Sequence, residues 1–384
     1  MNFAQCLKNL PPYLFADLDQ QKKQARAKGA DLIDLSIGDP DLPPSFALIE
    51  YLKSALNDHS LHRYPDYIGS LNFRQAAADW LNKRHQVKVD AEKEVTALIG
   101  SKEGIAHLIW GTVNPGEVVL VPSPGYPVYS QATIMTGGTP YYLPLLEENC
   151  FMPDFDKIPE EVLQKTKLLF LNYPNNPTSA CATKEFFKKA IALAKKYSFL
   201  ICHDAAYIEI YEGEQKPLSI LSIPGAKDVA IEMHSFSKTF CITGWRIAFA
   251  AGNPDAIRTL AKVKQNVDSG AFMAIERAAV FAMKELDSVI PEISAIYGQR
   301  REFFAQALAK MGFKVWPSQA SFYVWSRLPQ GNDSIAFCKQ LLEQAAVVAT
   351  PGLGFGEHGQ GYVRFSLTAA TERLNEAAER ITRL

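Results

Sequence analysis

Two rhythms of apolar and polar positions run along this chain, and the points where one gives way to the other set the elements. Residues 13–29 follow a polar, lysine-rich helical pattern that stops at Gly29. Residues 31–37 alternate with the period of a strand. They run into Gly38-Asp39-Pro40-Asp41-Leu42-Pro43-Pro44, too rich in glycine and proline to be regular. Ser45 suits the cap of a helix reaching about residue 57. Residues 64–69 read as a loop and 70–85 as another amphipathic helix. From there strands and helices take turns: strand 94–99, helix 105–113, strand 117–121, strand 166–171, helix 183–197, strand 199–203, then strand, loop and strand over 229–252. Helical patterns fill 254–269 and 271–286, and a long one spans about 291–311. Beyond Gly312 the pieces shorten, to 314–325, 335–345, 347–350, 362–367 and 372–384. This order predicts an α/β protein: a large domain over 44–281 with a mostly parallel sheet flanked by helices, and a smaller α+β domain from both chain ends, 1–43 and 282–384.

Composition narrows the class. With 384 residues, 47% hydrophobic and 21% charged, the chain can bury a sizeable core. A formal net charge of -1 offers no basic surplus for nucleic acid or a membrane surface. The six cysteines are scattered, with no CxxC pair and no Cys/His set at metal spacing, which predicts a reducing cytoplasm and no metal. The N-terminal stretch lacks the charged-then-apolar order of a secretory leader, and no apolar run is long enough to span a bilayer.

The chemistry concentrates in residues 229–252, VAIEMHSFSKTFCITGWRIAFAAG. Lys238 lies between two buried runs, where desolvation lowers an ammonium pKa and makes the amine a usable nucleophile and base, able to form an imine with a carbonyl. Arg246, eight residues on behind Gly244, is a second cation within reach that lowers that pKa further and suits a phosphate. A solvated loop lysine is the plain alternative. Four other features bear on it. The turn Gly100-Ser101-Lys102-Glu103-Gly104 between strand and helix can bind an anion through free N–H groups. Tyr126, in a proline-framed turn after a strand, can stack on a planar ligand or simply pack. Asn176 lies in the turn after strand 166–171. Asp204 ends an apolar strand, where α/β proteins place ligand contacts; it requires a cation partner or a capping role, and Tyr207 follows in the same crevice. Arg364, in an apolar strand, suits a carboxylate or a structural salt bridge. Gly38 is either a turn glycine or a point where backbone approaches a ligand. A flat aromatic aldehyde with a phosphate tail would use all of these. Lysine would capture the aldehyde, aspartate would keep a ring nitrogen protonated, and tyrosine would cover the ring. Asn176 and Tyr207 would hold a ring hydroxyl, and Ser101, Lys102, Ser235, Ser237, Arg246 and helix N–H groups the phosphate.

The strings Asn176-Pro177-Thr178, Asp204-Ala-Ala-Tyr207, Ser235-Phe-Ser-Lys238 with Gly-Trp-Arg246, and Arg364-Phe-Ser, in this order, resemble the class I/II aminotransferases among the fold-type I pyridoxal-phosphate enzymes. The resemblance implies pyridoxal 5'-phosphate as cofactor. It implies Lys238 as the Schiff-base lysine and acid/base, Arg364 on the substrate α-carboxylate, and Tyr64 reaching the phosphate of a neighbouring subunit in a homodimer with shared sites. Ser179 departs from the glycine common after that Asn-Pro-Thr. Within the family, LFADL, LIDLSIGDPDLPP, KVKQNVDSGAF and TPGLGFGEHGQGYVRFS look most like the LL-diaminopimelate branch, which implies lysine biosynthesis with 2-oxoglutarate as amino acceptor. Aspartate, alanine or aromatic transamination, or C–S β-lyase chemistry, would use the same lysine, aspartate and arginine. A cofactor-binding regulator would need a DNA-binding module that this sequence does not offer.

Overall fold

A computed structural model describes residues 4–11, 14–331 and 333–384. Its strands in chain order are β1 (Ile33–Asp34), β2 (Val95–Leu98), β3 (Val118–Ser123), β4 (Thr139–Pro144), β5 (Thr166–Asn172), β6 (Leu200–Asp204), β7 (Ala230–Ser235) and β8 (Ala248–Gly252), then β9 (Lys314–Val315), β10 (Tyr323–Arg327), β11 (Val347–Val348), β12 (Thr350–Pro351) and β13 (Tyr362–Ser366). Seven of them form one sheet in the order β2-β8-β7-β6-β5-β3-β4. All its neighbours are parallel except β8, which runs against both β2 and β7. A parallel sheet of this kind is covered on both faces, and Leu168, Leu169, Phe170 and Leu171 of β5 are accordingly all buried. A second sheet, β12-β13-β10-β9, is antiparallel, and β1 pairs in parallel with β11. Thus the N-terminal stretch lies against the C-terminal hundred residues.

The helices that clothe the large sheet follow from spacing. Lys184–Tyr197 buries Phe186, Phe187, Ala190, Ile191 and Ala194, one stripe at helical period, and Thr183 caps it by accepting from the Phe186 amide. Pro254–Val267 begins with proline at its first position, and the Asn253 side chain accepts from two amides ahead of it.

Several expected elements change length for identifiable reasons. The helix expected at 13–29 is Leu14–Ala27, residue 13 lying outside the described residues. The strand expected over 31–37 shrinks to β1. Asp34 Oδ1 accepts from the Ser36 amide at 3.0 Å and the Ser36 hydroxyl at 2.5 Å, a local turn that competes with a ladder. The helix expected from 105 begins at Ser101, because its first turn is polar and carries no periodic signal. Residues 314–325 divide into β9 and β10 around Pro317. The loop expected to carry Lys238 is a one-turn helix, Phe236–Thr239.

Candidate active site

Asn172, Asp204 and Ser235 are the last residues of β5, β6 and β7. In the parallel register Asn172 faces Asp204 directly, and the Asn172 amide donates to the Asp204 carbonyl at 2.7 Å. The other end of the same carboxamide accepts from the Asn176 N–H at 2.7 Å, which sets the Asn-Pro-Thr turn over the sheet edge. A crevice outside the carboxyl ends of strands is where open α/β sheets bind ligands. Here it is a cavity of about 290 Å³. Gly38, Ser101, Lys102, Tyr126, Asn176, Asp204, Tyr207, Ser235, Ser237, Lys238, Arg246 and Arg364 all line it. Tyr64 does not; its ring is 89% exposed, far from burial in this chain.

Asp204 sits on the floor, 4% exposed. Of the two roles expected from sequence, cation partner or cap, no cation pairs with it among the described residues, and the Ala206 amide two residues on acts on it as a cap contact would. The Tyr129 hydroxyl donates to its Oδ2 at 2.7 Å, while Oδ1 is buried with no hydrogen-bond partner among the described residues. Burial pushes its pKa up, against the pull of the Tyr129 hydrogen bond and of His203. A buried, unpaired carboxylate oxygen is costly unless a donor meets it, and a protonated ring nitrogen is such a donor.

Lys238 Nζ donates to the Gly38 carbonyl at 2.5 Å. Burial, with Arg246 and Arg364 adding their positive charge and Asp39 opposing, lowers its pKa from 10.5 to about 8. A substantial fraction of the amine is therefore free at mildly alkaline pH.

At the other end, Gly100 has φ +80 and caps the helix Ser101–Thr112. A Cβ there would lie 2.0 Å from an Arg246 nitrogen, so only glycine lets the guanidinium lie against the turn. Arg246 is exposed, with Nη1 donating to Thr243 O at 2.8 Å. A helix N-terminus with an arginine and serine hydroxyls beside it suits an anion such as a phosphate. Lys102 Nζ stands 5.9 Å from the Tyr126 ring centroid. Behind the turn Glu103, His107 and Asp268 cluster, and the Lys264 ammonium lies 3.2 Å from Glu103 and 3.3 Å from Asp268.

Arg364, in β13, is 3% exposed, and its hydrogen-bond partners among the described residues are all neutral rather than the carboxylate of a structural salt bridge. Its Nη1 donates to Asn176 Oδ1 at 2.8 Å, its Nη2 to the Ser36 carbonyl, and its guanidinium carbon lies 4.3 Å from the Tyr323 ring centroid and 4.7 Å from that of Phe355. A desolvated fork held only by neutral groups suits an incoming carboxylate. Because the Asn176 oxygen is used by Arg364, its NH₂ remains as donor. Ser179 takes φ +60, a left-handed conformation that glycine adopts freely; its hydroxyl contacts Ser321 Oγ at 2.5 Å and donates to Tyr323 O at 3.1 Å, which offsets the strain.

Tyr129, Asn172, Tyr323 and Phe355 belong to the site without being singled out by the sequence. Tyr129 has a signal, three residues after Tyr126 in the same turn, and Asn172 another, a polar end to an apolar strand. Tyr323 and Phe355 have none, because they come from the second sheet and the glycine-rich 352–356 loop.

Fold and site together define a pyridoxal-phosphate-dependent transferase, and the chain belongs to the aminotransferase class I and II family, whose description matches residues 30–381. Members of this family use pyridoxal phosphate. Asp204 Oδ1, Lys238 and the Gly100/Arg246 turn fit that group. The chain is 51% identical to an LL-diaminopimelate aminotransferase of Aquifex aeolicus over 382 residues, covering all of this chain and 99% of that one. Substrate-bound BacF from Bacillus subtilis superposes with a TM-score of 0.96 at 37% identity, covering 100% and 98% of the two chains. An aminotransferase from Staphylococcus aureus does so at 0.92 and 35%, covering 100% and 99%. No helix of the described residues is long and apolar enough to cross a membrane.

Proposed function

We propose that this enzyme moves an amino group from LL-diaminopimelate to 2-oxoglutarate in lysine biosynthesis, giving glutamate and, after ring closure with loss of water, tetrahydrodipicolinate. What carries this reading is the 51% identity to the Aquifex aeolicus LL-diaminopimelate aminotransferase over the whole length, with the site residues gathered in one cavity. When bound, pyridoxal phosphate supplies an aldehyde and an electron-poor ring that accepts the electron pair of a broken substrate bond.

The chain's own groups divide the work. Lys238 Nζ, free at mildly alkaline pH, would hold the cofactor through its aldehyde carbon and, once the substrate amine has displaced it, would move the proton between substrate Cα and that carbon. Asp204 Oδ1 would accept from the ring N–H and favour the cationic form of that nitrogen. Tyr207 and the Asn176 amide donate to the ring oxygen. Burial holds Tyr207 well above the ordinary tyrosine range, so it stays a donor. Tyr126 covers the ring. Ser101, Lys102, Ser235, Ser237, Arg246 and the first N–H groups of helix Ser101–Thr112 hold the phosphate. Arg364 binds the substrate α-carboxylate, with the Gly38 backbone alongside.

The division of the chain into a large domain, 44–281, and a small one, 1–43 with 282–384, belongs to the same reading. So does a cytoplasmic homodimer in which exposed Tyr64 serves the partner's phosphate. A panel of amino donors with 2-oxoglutarate tests the substrate: LL-diaminopimelate should exceed aspartate, alanine and phenylalanine in kcat/KM, and a preference for any of these three would refute the assignment. Sustained pyruvate and ammonia release from cysteine-type substrates without a keto acid would favour the β-lyase.

A further inference from the structure

Tyr323 opens β10, is 2% exposed, and stands between the two ends of the cavity. Its hydroxyl lies 2.8 Å from that of Tyr207, the rings meeting edge-on at 67° with centroids 5.4 Å apart. Its ring face carries the Arg364 guanidinium at 4.3 Å. Its backbone is pinned on both sides: the amide donates to Ser321 Oγ at 3.1 Å, and the carbonyl accepts from Ser179 Oγ at 3.1 Å. Gly38 belongs to the same arrangement, since a Cβ there would come within 1.8 Å of the Tyr323 hydroxyl oxygen.

Each phenol has one proton, so the pair has two possible directions. If Tyr207 donates to Tyr323, Tyr207 has nothing left for a ligand, and the free proton is that of Tyr323, whose one hydrogen-bond partner among the described residues is Tyr207. If Tyr323 donates, the Tyr207 proton is the free one; both phenols line the cavity, so either free proton could meet a ligand there, and the neighbouring charge decides between the two directions. The cation stacked on Tyr323 makes that phenol the stronger donor. Chained donors of this kind reinforce one another.

We propose that Tyr323 is a positioning residue for transamination: its hydroxyl donates to Tyr207 and aims the Tyr207 proton at the cofactor ring oxygen, while its ring stacks the arginine that receives the substrate α-carboxylate. The inference rests on the pyridoxal-phosphate reading of the site. It couples the cofactor end to the carboxylate end through one side chain that touches neither reacting atom.

The test is the pH titration of the visible absorbance of the holoenzyme, which reports loss of the proton beside the ring oxygen. A donor to that oxygen favours its anionic form and lowers the titration midpoint; losing the donor raises it. Tyr323→Phe keeps the ring and its packing. It should raise the midpoint by about half to one pH unit and leave KM for the amino acid within about twofold. Tyr207→Phe should raise the midpoint at least as far, and the double variant no further than Tyr207→Phe alone. Tyr323→Leu, which also removes the stacking face, should raise KM about tenfold. An unchanged midpoint in Tyr323→Phe, or its full shift repeated on the Tyr207→Phe background, overturns the aiming role. Equal KM in Tyr323→Leu and Tyr323→Phe overturns the stacking role. A wild-type protein with no pH-sensitive visible band would sink the cofactor reading and this inference with it, an outcome distinct from a wild-type titration that Tyr323→Phe leaves in place.

Discussion

On the floor of the cavity, Asn172, Asp204 and Ser235 each end a strand of the seven-stranded sheet. On the opposite wall, Arg364 sits in the middle of β13, Tyr323 opens β10, and residues 36–38 have no regular structure at all. The floor groups are set by strand register and by each other, through the Asn172–Asp204 and Tyr129–Asp204 bonds. The wall groups are set by long-range bonds that a ligand competes with: Lys238 to Gly38 O and Arg364 to Ser36 O. A preorganised floor suits the step in which charge develops, and a wall that exchanges partners suits substrate capture. The floor should therefore govern kcat and the wall KM.

The largest effect is expected at Lys238, which stands between the two regions. Lys238→Ala should lower turnover by about 10⁴-fold or more in a steady-state assay. On the floor, Asp204→Ala should cost about 10²- to 10³-fold in kcat with a smaller change in KM, since the ring nitrogen loses its counter-charge. On the wall, Arg364→Ala should raise KM about 10- to 100-fold for every α-carboxylate substrate; an effect on a single substrate would mean that the wall reads the far end of that substrate instead. The pH dependence of the cofactor-free protein sharpens the contrast. Lys238 titrates at about 8 in the fold and at 10.5 when unfolded. Between these values the unfolded chain holds a proton that the folded one does not, so Lys238 contributes stability that grows with pH from 8 to 10.5, against the loss imposed by buried cysteines and tyrosines whose pKa values are raised, and Lys238→Met should lose stability more steeply than wild type over that window in denaturant titrations. The smallest effect is expected at Ser179. Replacement by glycine relieves the left-handed strain but leaves the buried Ser321 hydroxyl short of a partner. Stability should fall by about 1 kcal/mol, with kcat/KM within about twofold.

The same contrast explains what could be read in the amino-acid sequence. A parallel sheet announces itself through apolar runs, and a polar residue closing such a run is visible, which is why Asp204, Ser235 and the turn after β5 could be picked out. Lys238 and Arg364 stood out as charges in apolar surroundings. Tyr129 and Asn172 were within reach of the same logic. Tyr323 was not: an aromatic in an apolar stretch reads as core, and its role arises from pairing with Tyr207, 116 positions away. β1 is shorter than the alternation over 31–37 predicts, because the Ser36 and Asp34 bonds that end it leave no trace in periodicity. The helix from Ser101 begins ahead of its periodic signal because its first turn, being polar, carries no hydrophobic rhythm.

The central claim is that the amine of Lys238 holds the cofactor. Borohydride reduction of the holoenzyme followed by peptide mass mapping tests it most directly. The added mass should fall on the peptide containing Lys238 and vanish in Lys238→Ala; the same mass on Lys102 or any other lysine, or no added mass at all, would contradict the account.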